Sequence, residues 1–581
     1  MGYANQWRSQ LYSNLKIIQD LPWLTEGLSV QATVSFDSYN NTSNRFTRTP
    51  NCYMPIGRDE EGKIIFQQTF TGSESLSYSN SSSGDMSIYI ETGINYKRTF
   101  GKHDVSAMLL YNQSDEKNTK ATSVETALPY RFNGFAGRAT YSYNDRYFGE
   151  FNFGYNGSEN FAPGHRYGFF PSAGLGWVIS NESFFDNARS IVPFLKLRAT
   201  YGLVGNSNIT GRRFAYLSTI SSSTSTSYTF GQAYDSAFDT VKVGEEGVDV
   251  TWETATKLNI GLDINFLNNN LSFHADYFKD RRKGIFLSRG DIPDYVGLTN
   301  APLANIGKVN NEGFELSVDY HQQIDDDWFV SFMGNVSYSH NTVIEDGITY
   351  TYPWQDTRGQ RVGQRYGFIA EKLFDSDEEV ARSAYQTGDT RAGDIKYRDI
   401  NGDGKIDAYD KVPIGFGSTP EVVYGFGFNI AWRNLSLSAM FQGASCVDAL
   451  ISGQGVTPFQ QGMASGNIMT YVLDRWTEAN PSQNVQVPRL SPSASYNMNY
   501  EPSTWWLKDT SYLRLKNIQI SYSLPKRWMK AIKFSGASVY LQGVNLLTFS
   551  KFKLWDVEQS DGRGDVYPNT KSYSLGINFS F

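Results

Sequence analysis

Cysteine is scarce: 581 residues contain only Cys52 and Cys446. Two cysteines this far apart make neither a disulfide framework nor a metal-ligand spacing, and both fall in stretches that read as loops, so free thiols are expected. Long hydrophobic runs are also missing. No stretch approaches eighteen consecutive apolar residues, which excludes transmembrane helices. A closed barrel of strands is then the only way this chain could span a bilayer. The net charge of −7, with no Lys/Arg run that stands out, argues against the basic footprint of a nucleic-acid binder. The start, Met1-Gly2-Tyr3-Ala4-Asn5-Gln6-Trp7-Arg8, lacks the basic-then-apolar order of a secretory signal.

Catalytic signatures are absent as well. The five histidines, His103, His165, His274, His321 and His340, show no ligand-like spacing. Gly205-Asn206-Ser207 does not make a nucleophile elbow. Asp325-Asp326-Asp327 falls in an expected tight turn, where a solvated role outweighs acid–base work. Nothing supports a triad, a P-loop or a zinc site, and the expectation is that the chain is not an enzyme.

Aromatic residues, by contrast, are plentiful: 37 Tyr and 38 Phe. Mean hydropathy is nonetheless −0.43. Strands that alternate an apolar face with a wet one reconcile the two. Period-two alternation in segments of about ten residues is the clearest pattern in the sequence. Val422, Tyr424, Phe426, Phe428, Ile430 and Trp432 alternate with small or polar residues; after Arg433-Asn434 the pattern resumes at Leu435, Leu437, Ala439 and Phe441. Residues 258–266 and 271–277 repeat the design across Asn268-Asn269-Asn270, and 135–143 and 147–155 across Asn144-Asp145-Arg146.

About seventeen such segments can be placed by this criterion, beginning near residues 11, 28, 86, 103, 133, 146, 168, 194, 255, 270, 312, 328, 421, 434, 511, 535 and 571. Mostly short turns, among them 33–34 and 144–146, alternate with long connections near 38–85, 113–132, 157–167, 204–254, 280–311, 341–420, 444–510 and 546–570. Long loops on one rim and short turns on the other is the layout of bacterial outer-membrane barrels. The fold class is therefore all-β, a transmembrane antiparallel β-barrel. The chain ends on Tyr573, Leu575, Ile577, Phe579 and Phe581 in strict alternation, expected to face lipid and to serve in assembly. Barrels of one chain have even strand numbers. An odd count therefore suggests that 1–581 is one barrel domain incomplete at its N-terminus, without plug or signal peptide.

Several phrases resemble the SusC/RagA group of TonB-dependent outer-membrane transporters. They are Gly137-Arg138-Ala139-Thr140-Tyr141-Ser142-Tyr143-Asn144-Asp145-Arg146-Tyr147, then Tyr167-Gly168-Phe169-Phe170-Pro171-Ser172-Ala173-Gly174-Leu175-Gly176-Trp177, then Leu195-Lys196-Leu197-Arg198-Ala199-Thr200-Tyr201-Gly202. Trp252-Glu253-Thr254, Asn305-Ile306-Gly307, Asn311-Glu312-Gly313-Phe314-Glu315-Leu316, Gly393-Asp394-Ile395-Lys396-Tyr397 and Tyr512-Leu513-Arg514-Leu515-Lys516-Asn517 follow in the group's order. The resemblance covers nearly the whole chain. It implies the C-terminal part of a 22-stranded barrel around a plug. It also implies nutrient import, of oligosaccharide or peptide, with a SusD-like surface lipoprotein, driven by TonB through a plug absent from this chain. Outer-membrane lipid is a further implied partner. The rival reading is a non-transporting structural or adhesin-like barrel remnant. A soluble β-rich glycan-binding protein is opposed by the loop layout and the terminal strand.

One loop carries a metal hypothesis. Asp399, Asn401, Asp403, Lys405 (through its carbonyl), Asp407 and Asp410 stand at the first, third, fifth, seventh, ninth and twelfth positions of an EF-hand-like calcium loop, with Gly404 at the sixth. Asp410 is shorter than the usual Glu. The bland alternative is a solvated Asn-Gly/Asp-Gly turn cluster. Tyr350, Tyr352, Trp354, Trp505 and Trp506 either stack on sugar rings or a lid protein, or belong to the interfacial aromatic girdle, which is the first expectation for Trp505 and Trp506.

Overall fold

The computed structural model describes residues 2–73, 75–121, 124–208, 213–229, 237–245, 247–292, 301–453, 456–459, 468–492, 496–531, 534–559 and 562–580. Phe581 lies outside them. Contacts divide the chain into two units, Met1–Gly174 with Gly202–Glu253, and Leu175–Tyr201 with Thr254–Phe581. No helix among the described residues is long and apolar enough to cross a membrane.

The first unit holds six consecutive antiparallel strands: β1 (Gly2–Asp20), β2 (Leu28–Thr47), β3 (Ser77–Phe100), β4 (His103–Asn118), β5 (Tyr130–Tyr143) and β6 (Tyr147–Ser158). Two more strands, β7 (Tyr167–Val178) and β8 (Phe194–Asn206), have their residues shared between the units. The second unit continues with β9 (Glu253–Phe266), β10 (Leu271–Ser288), β11 (Leu303–Gln323), β12 (Trp328–Glu345), β13 (Val422–Trp432), β14 (Leu435–Ser445), β15 (Tyr512–Ser523), β16 (Gly536–Ser550) and β17 (Ser572–Ser580). From β9 to β17 each strand pairs antiparallel with the next. All seventeen strands expected from alternation are present.

The tight turns form where Asn and Asp tolerate left-handed backbone. Asn144 and Asp145 both have φ of 51°, and Asn268 and Asn269 have 56° and 70°. In the 324–327 turn, Asp325 Oδ1 accepts the N–H groups of Asp327 and Trp328 at 2.8 Å each, and the Asp327 carboxylate pairs with Arg433 in the next turn. A tight turn at 33–34 does not exist. Thr33 and Val34 pair with Lys16 and Leu15 in mid-strand, and the chain reverses at 21–27 instead. Two connections on the tight-turn side are longer, 179–193 with 3-10 turns and 524–535 with a helix at Lys526–Ala531.

Strands run further into the long connections than alternation shows. β2 continues to Thr47 and pairs with β3 back to Ser77, through stretches rich in Ser, Asn and Thr on both faces. Within 48–76 a hairpin joins Cys52–Arg58 to Ile64–Phe70, and within 207–252 another joins Thr219–Thr229 to Ala237–Glu245.

The two strand faces differ as the sequence requires. One carries large exposed apolar side chains such as Ile260, Phe273, Tyr277, Phe314, Leu316, Phe332 and Ile430. The other carries Asp263, His274, Asp276, Glu315, Ser317, Asn335 and Ser337. Burying that apolar face in water-free surroundings, not in a protein core, is what such a pattern is for. The compact cores lie elsewhere, in the long connections.

Candidate functional site: a polar strand face and folded loops

On the polar face of the second unit, Arg198 of β8 reaches across two strands. Its Nη2 donates to Asp276 at 2.6 Å, its Nε to Asp263 at 3.3 Å and its Nη1 to Asn259 at 3.2 Å. A Cβ at position 261 would sit 2.3 Å from the guanidinium carbon, so Gly261 is what lets the cation lie flat across β9. His274 Nδ1 stands 2.9 Å from the other oxygen of Asp263. Asp276 Oδ1 is buried and, among the described residues, has no hydrogen-bond partner. Beside it opens a cavity of about 340 Å³, lined by His274, Asp276, Glu315, Ser317, Asn335 and Ser337. Ser317 and Asn335 also line a second cavity of about 430 Å³ with Asp319, Gly425 and Gln442. Hydroxyls, amides and carboxylates line the first, and the second sets Ser317, Asp319, Asn335 and Gln442 beside Met333, Val423 and Met440, a mixed polar and apolar set suited to sugar or peptide-like ligands.

The connections 346–421 and 446–511 fold together around two apolar cores. Phe368, Leu373, Ile395, Tyr397, Ile406 and Trp476 form one; Ala449, Ile451, Val472, Val487, Trp506 and Phe552 are among the residues of the other. This corrects the girdle reading of Trp505 and Trp506. Trp506 is buried, its Nε1 donating to Asn499 O at 2.7 Å, and Trp505 packs against both cores. Trp354 stacks on Tyr352 at 4.7 Å and donates to Tyr409 O, while Tyr350 bonds Asp346 and Thr357.

A short helix, Asp377–Arg382, is capped by Ser376, whose Oγ accepts the Glu379 N–H at 3.3 Å. The Glu379 carboxylate accepts the Asp375 N–H in return and pairs with Lys396 and Lys372. The Asp375 N–H and the two lysines outweigh desolvation and hold the carboxyl down to about 2, against 4.5 ordinarily. A depressed carboxyl stabilises the folded loops above its unfolded pKa. Amide protection of 375–382, corrected for the intrinsic exchange rate, should therefore fall as pH drops from about 4.5 towards 2, and Glu379→Gln should remove that dependence.

The 399–410 loop is held by its own side chains. Asp399 accepts the N–H groups of Gly402 and Gly404 at 2.7 and 2.9 Å, and Gly404 takes a φ of 80°. Asn401 accepts from Asp403 N and Asp403 from Lys405 N; Lys405 Nζ pairs with Asp407 at 2.8 Å. Asp410 is fully buried and accepts the N–H groups of Ile400, Asn401 and Asp407. It closes the loop from inside, and Asp399, Asn401, Asp403 and Asp407 supply the oxygens nearer solvent. Among the described residues no three His, Cys, Asp or Glu side chains converge as a metal cluster. The all-oxygen donor set suits a hard cation by its chemistry. Ile406, at the eighth position, is buried, and its N–H donates to Tyr385 O.

Sequence reading did not single out the Arg198 cluster as a site. Its members are distant in sequence and meet only through strand register. The signal available was parity: Asp263, His274 and Asp276 fall on the polar alternation of their strands.

Long antiparallel strands with one apolar and one polar face, tight turns at one end and long folded connections at the other, define an outer-membrane β-strand protein. The chain belongs to the TonB dependent receptor-like β-barrel family, whose profile matches residues 2–546. It is 24% identical to TonB-dependent receptor P3 of Formosa agariphila over 100% of this chain and 58% of that protein. To TonB-dependent receptor SusC of Bacteroides thetaiotaomicron it is 27% identical, over 77% of this chain and 43% of that protein. The chain thus spans about half the length of the curated relatives it matches, from 43% to 58%. A structure of the RagAB peptide transporter superimposes with a TM-score of 0.74 at 21% identity, covering 100% of this chain and 62% of that one. That likeness shows the fold. Family membership places the protein in the outer membrane, and its relatives are receptors, not enzymes.

Proposed function

We propose that the protein imports a nutrient, an oligosaccharide or a peptide, across the outer membrane. In this reading it works with a SusD-like surface lipoprotein and is energised by TonB through a plug domain that the described strand ladders do not include. The observation that carries it is the polar face of β10 to β14, whose two adjoining cavities offer hydroxyl, amide and carboxylate groups to a solute. The folded loops support a lid partner: Ile468, Met469 and Leu473 are each at least half exposed beside the buried Val472. Such a short apolar strip suits a protein surface. The test is uptake of labelled oligosaccharides and peptides by cells lacking the gene. Loss of uptake of one substrate class, with the same loss on collapsing the proton gradient, supports import. Normal uptake with a defect only in surface attachment points to a structural or adhesin-like role.

Within this reading the 399–410 loop holds Ca²⁺ through Asp399, Asn401, Asp403, the Lys405 carbonyl and Asp407, with Asp410 arranging the chain behind them. The cation relieves repulsion among the carboxylates, and millimolar extracellular calcium is ample for a site of about 10⁻⁴–10⁻³ M. Asp403→Ala should raise proteolysis within the loop in calcium buffer to the wild-type level in chelator. Identical wild-type cleavage with calcium and with chelator would leave only a polar turn.

A further inference from the structure

A second polar feature lies on the apolar side of the first unit, at the long-connection end. In β4, β5, β6 and β7, apart from Tyr130 at the start of β5, odd-numbered residues carry the exposed apolar side chains, including Leu109, Phe135, Phe151, Tyr155, Tyr167 and Phe169. Two groups of rings stand at the ends of this face, with the Phe151, Phe153 and Phe169 rings packed in series between them. Near the tight turns, His103 packs on Tyr141 and Tyr143. At the other end, Tyr111 packs on Phe135, and Tyr155 stacks on Tyr167 at 5.2 Å. From Tyr143 to Phe135 a strand tilted about 40° climbs about 20 Å, most of the ~25 Å apolar band of an outer-membrane protein. The two groups therefore stand as the two interfacial girdles. Arg131, four residues beyond Phe135 and on the same parity, stands about 10 Å higher, at headgroup level.

There the surface opens into a cleft of about 380 Å³, whose lining includes Gln113, Arg131, Asn133, Glu159, Arg166 and Tyr167. Two guanidinium groups border it, each held by one nitrogen only. Arg131 Nε donates to Asp115 at 2.9 Å, and Arg166 Nε donates to Phe161 O at 3.3 Å. Among the described residues the terminal Nη groups of both have no partner. Both acids nearby are already matched: Asp115 by Arg131, with Lys117 at 3.7 Å, and Glu159 by the buried Arg213 at 2.6 Å. The backbone beneath Arg166 is fixed, because Trp252 Nε1 donates to its carbonyl and Trp252 packs against the buried Phe161 and Phe170.

We propose that this cleft binds the phosphate-bearing headgroup of an outer-leaflet glycolipid. Free guanidinium N–H pairs are the donors that match a phosphate. The cleft faces outward directly above a lipid-facing aromatic band, so the anion presented to it is carried by a lipid whose chains lie along Phe135, Tyr155 and Phe169. Gln113 and Asn133 add neutral donors for the sugar part of such a headgroup. A soluble substrate passing along the opposite, polar face would not meet these residues.

The test is equilibrium binding to the protein purified in detergent. The probes are bis-phosphorylated lipid A, the same lipid stripped of phosphate, and inorganic phosphate. Two charge-assisted contacts to the phosphate predict at least a tenfold preference for the phosphorylated lipid. Arg131→Gln with Arg166→Gln should abolish that preference and leave binding of the stripped lipid unchanged. If the double variant fails to fold, Arg166→Gln alone keeps the Arg131–Asp115 pair and should still lose at least threefold. Equal binding of phosphorylated and stripped lipid, or an undiminished preference in the variant, overturns the proposal. Inorganic phosphate binding as tightly as the lipid would make this a soluble-anion site and overturn the lipid assignment.

Discussion

Leu575→Arg is expected to cost about 2–4 kcal/mol of folding stability in lipid bilayers, the penalty for a cation at the midplane of an outward face. Leu575 stands in the middle of β17 and pairs with Leu541 of β16, and both side chains are more than half exposed. In water such exposure would be an unexplained apolar surface; in hydrocarbon it is solvated. Ser574, its neighbour in sequence, faces the other way, so Ser574→Arg should cost far less. Urea titrations of both variants refolded into bilayers check the contrast. Equal costs at the two positions would mean that β17 does not present Leu575 to lipid.

Arg514→Ala should be at least as severe, at about 3–5 kcal/mol, because it strands Asp556 beside a buried vacancy and leaves Glu558 to Lys516. Arg514 is 2% exposed at the start of β15. Its Nη2 and Nη1 pair with Asp556 at 2.8 Å and Glu558 at 2.7 Å, and its Nε donates to Thr548. Glu558 also takes Lys516 Nζ and the Tyr512 hydroxyl. One cation thus fastens the 551–571 connection to β15. Losing it should release that connection first, visible as protease cleavage within 551–571 at denaturant concentrations that leave the strands folded. Arg514→Lys should recover little, since one ammonium cannot serve three acceptors in a planar fork.

Much of the architecture was legible because a membrane strand must alternate. Val422 to Trp432 and Leu435 to Phe441 read as a hairpin about Arg433-Asn434, and Trp432 indeed pairs with Leu435 across that turn. Legibility failed where both strand faces meet water. Residues 38–47 and 77–85 are rich in Ser, Asn and Thr on both parities, so period two vanishes although the ladder continues from Thr47 with Ser77. β1 and β11 likewise start at Gly2 and Leu303, earlier than their alternation indicates.

The folded loops were opaque for another reason. Trp505 and Trp506 look like an interfacial pair from their place before β15, but Trp506 is buried with Val487, which is distant in sequence. The 399–410 run was recognisable by spacing, yet the burial of Asp410 depends on packing that spacing does not carry. The Arg198 cluster had a readable half, the polar parity of Asp263, His274 and Asp276. Its other half, the register that brings Arg198 over Gly261, exists only once the strands pair.

Spin labels placed singly along β13 in bilayers test most directly that alternate faces meet lipid and water. At Phe426, Phe428 and Ile430, collision with dissolved oxygen should dominate over collision with a water-soluble nickel chelate. At Gly425, Gly427 and Asn429 the order should reverse. Equal accessibility of the two probes on both parities would contradict a strand that crosses the membrane with one face in lipid.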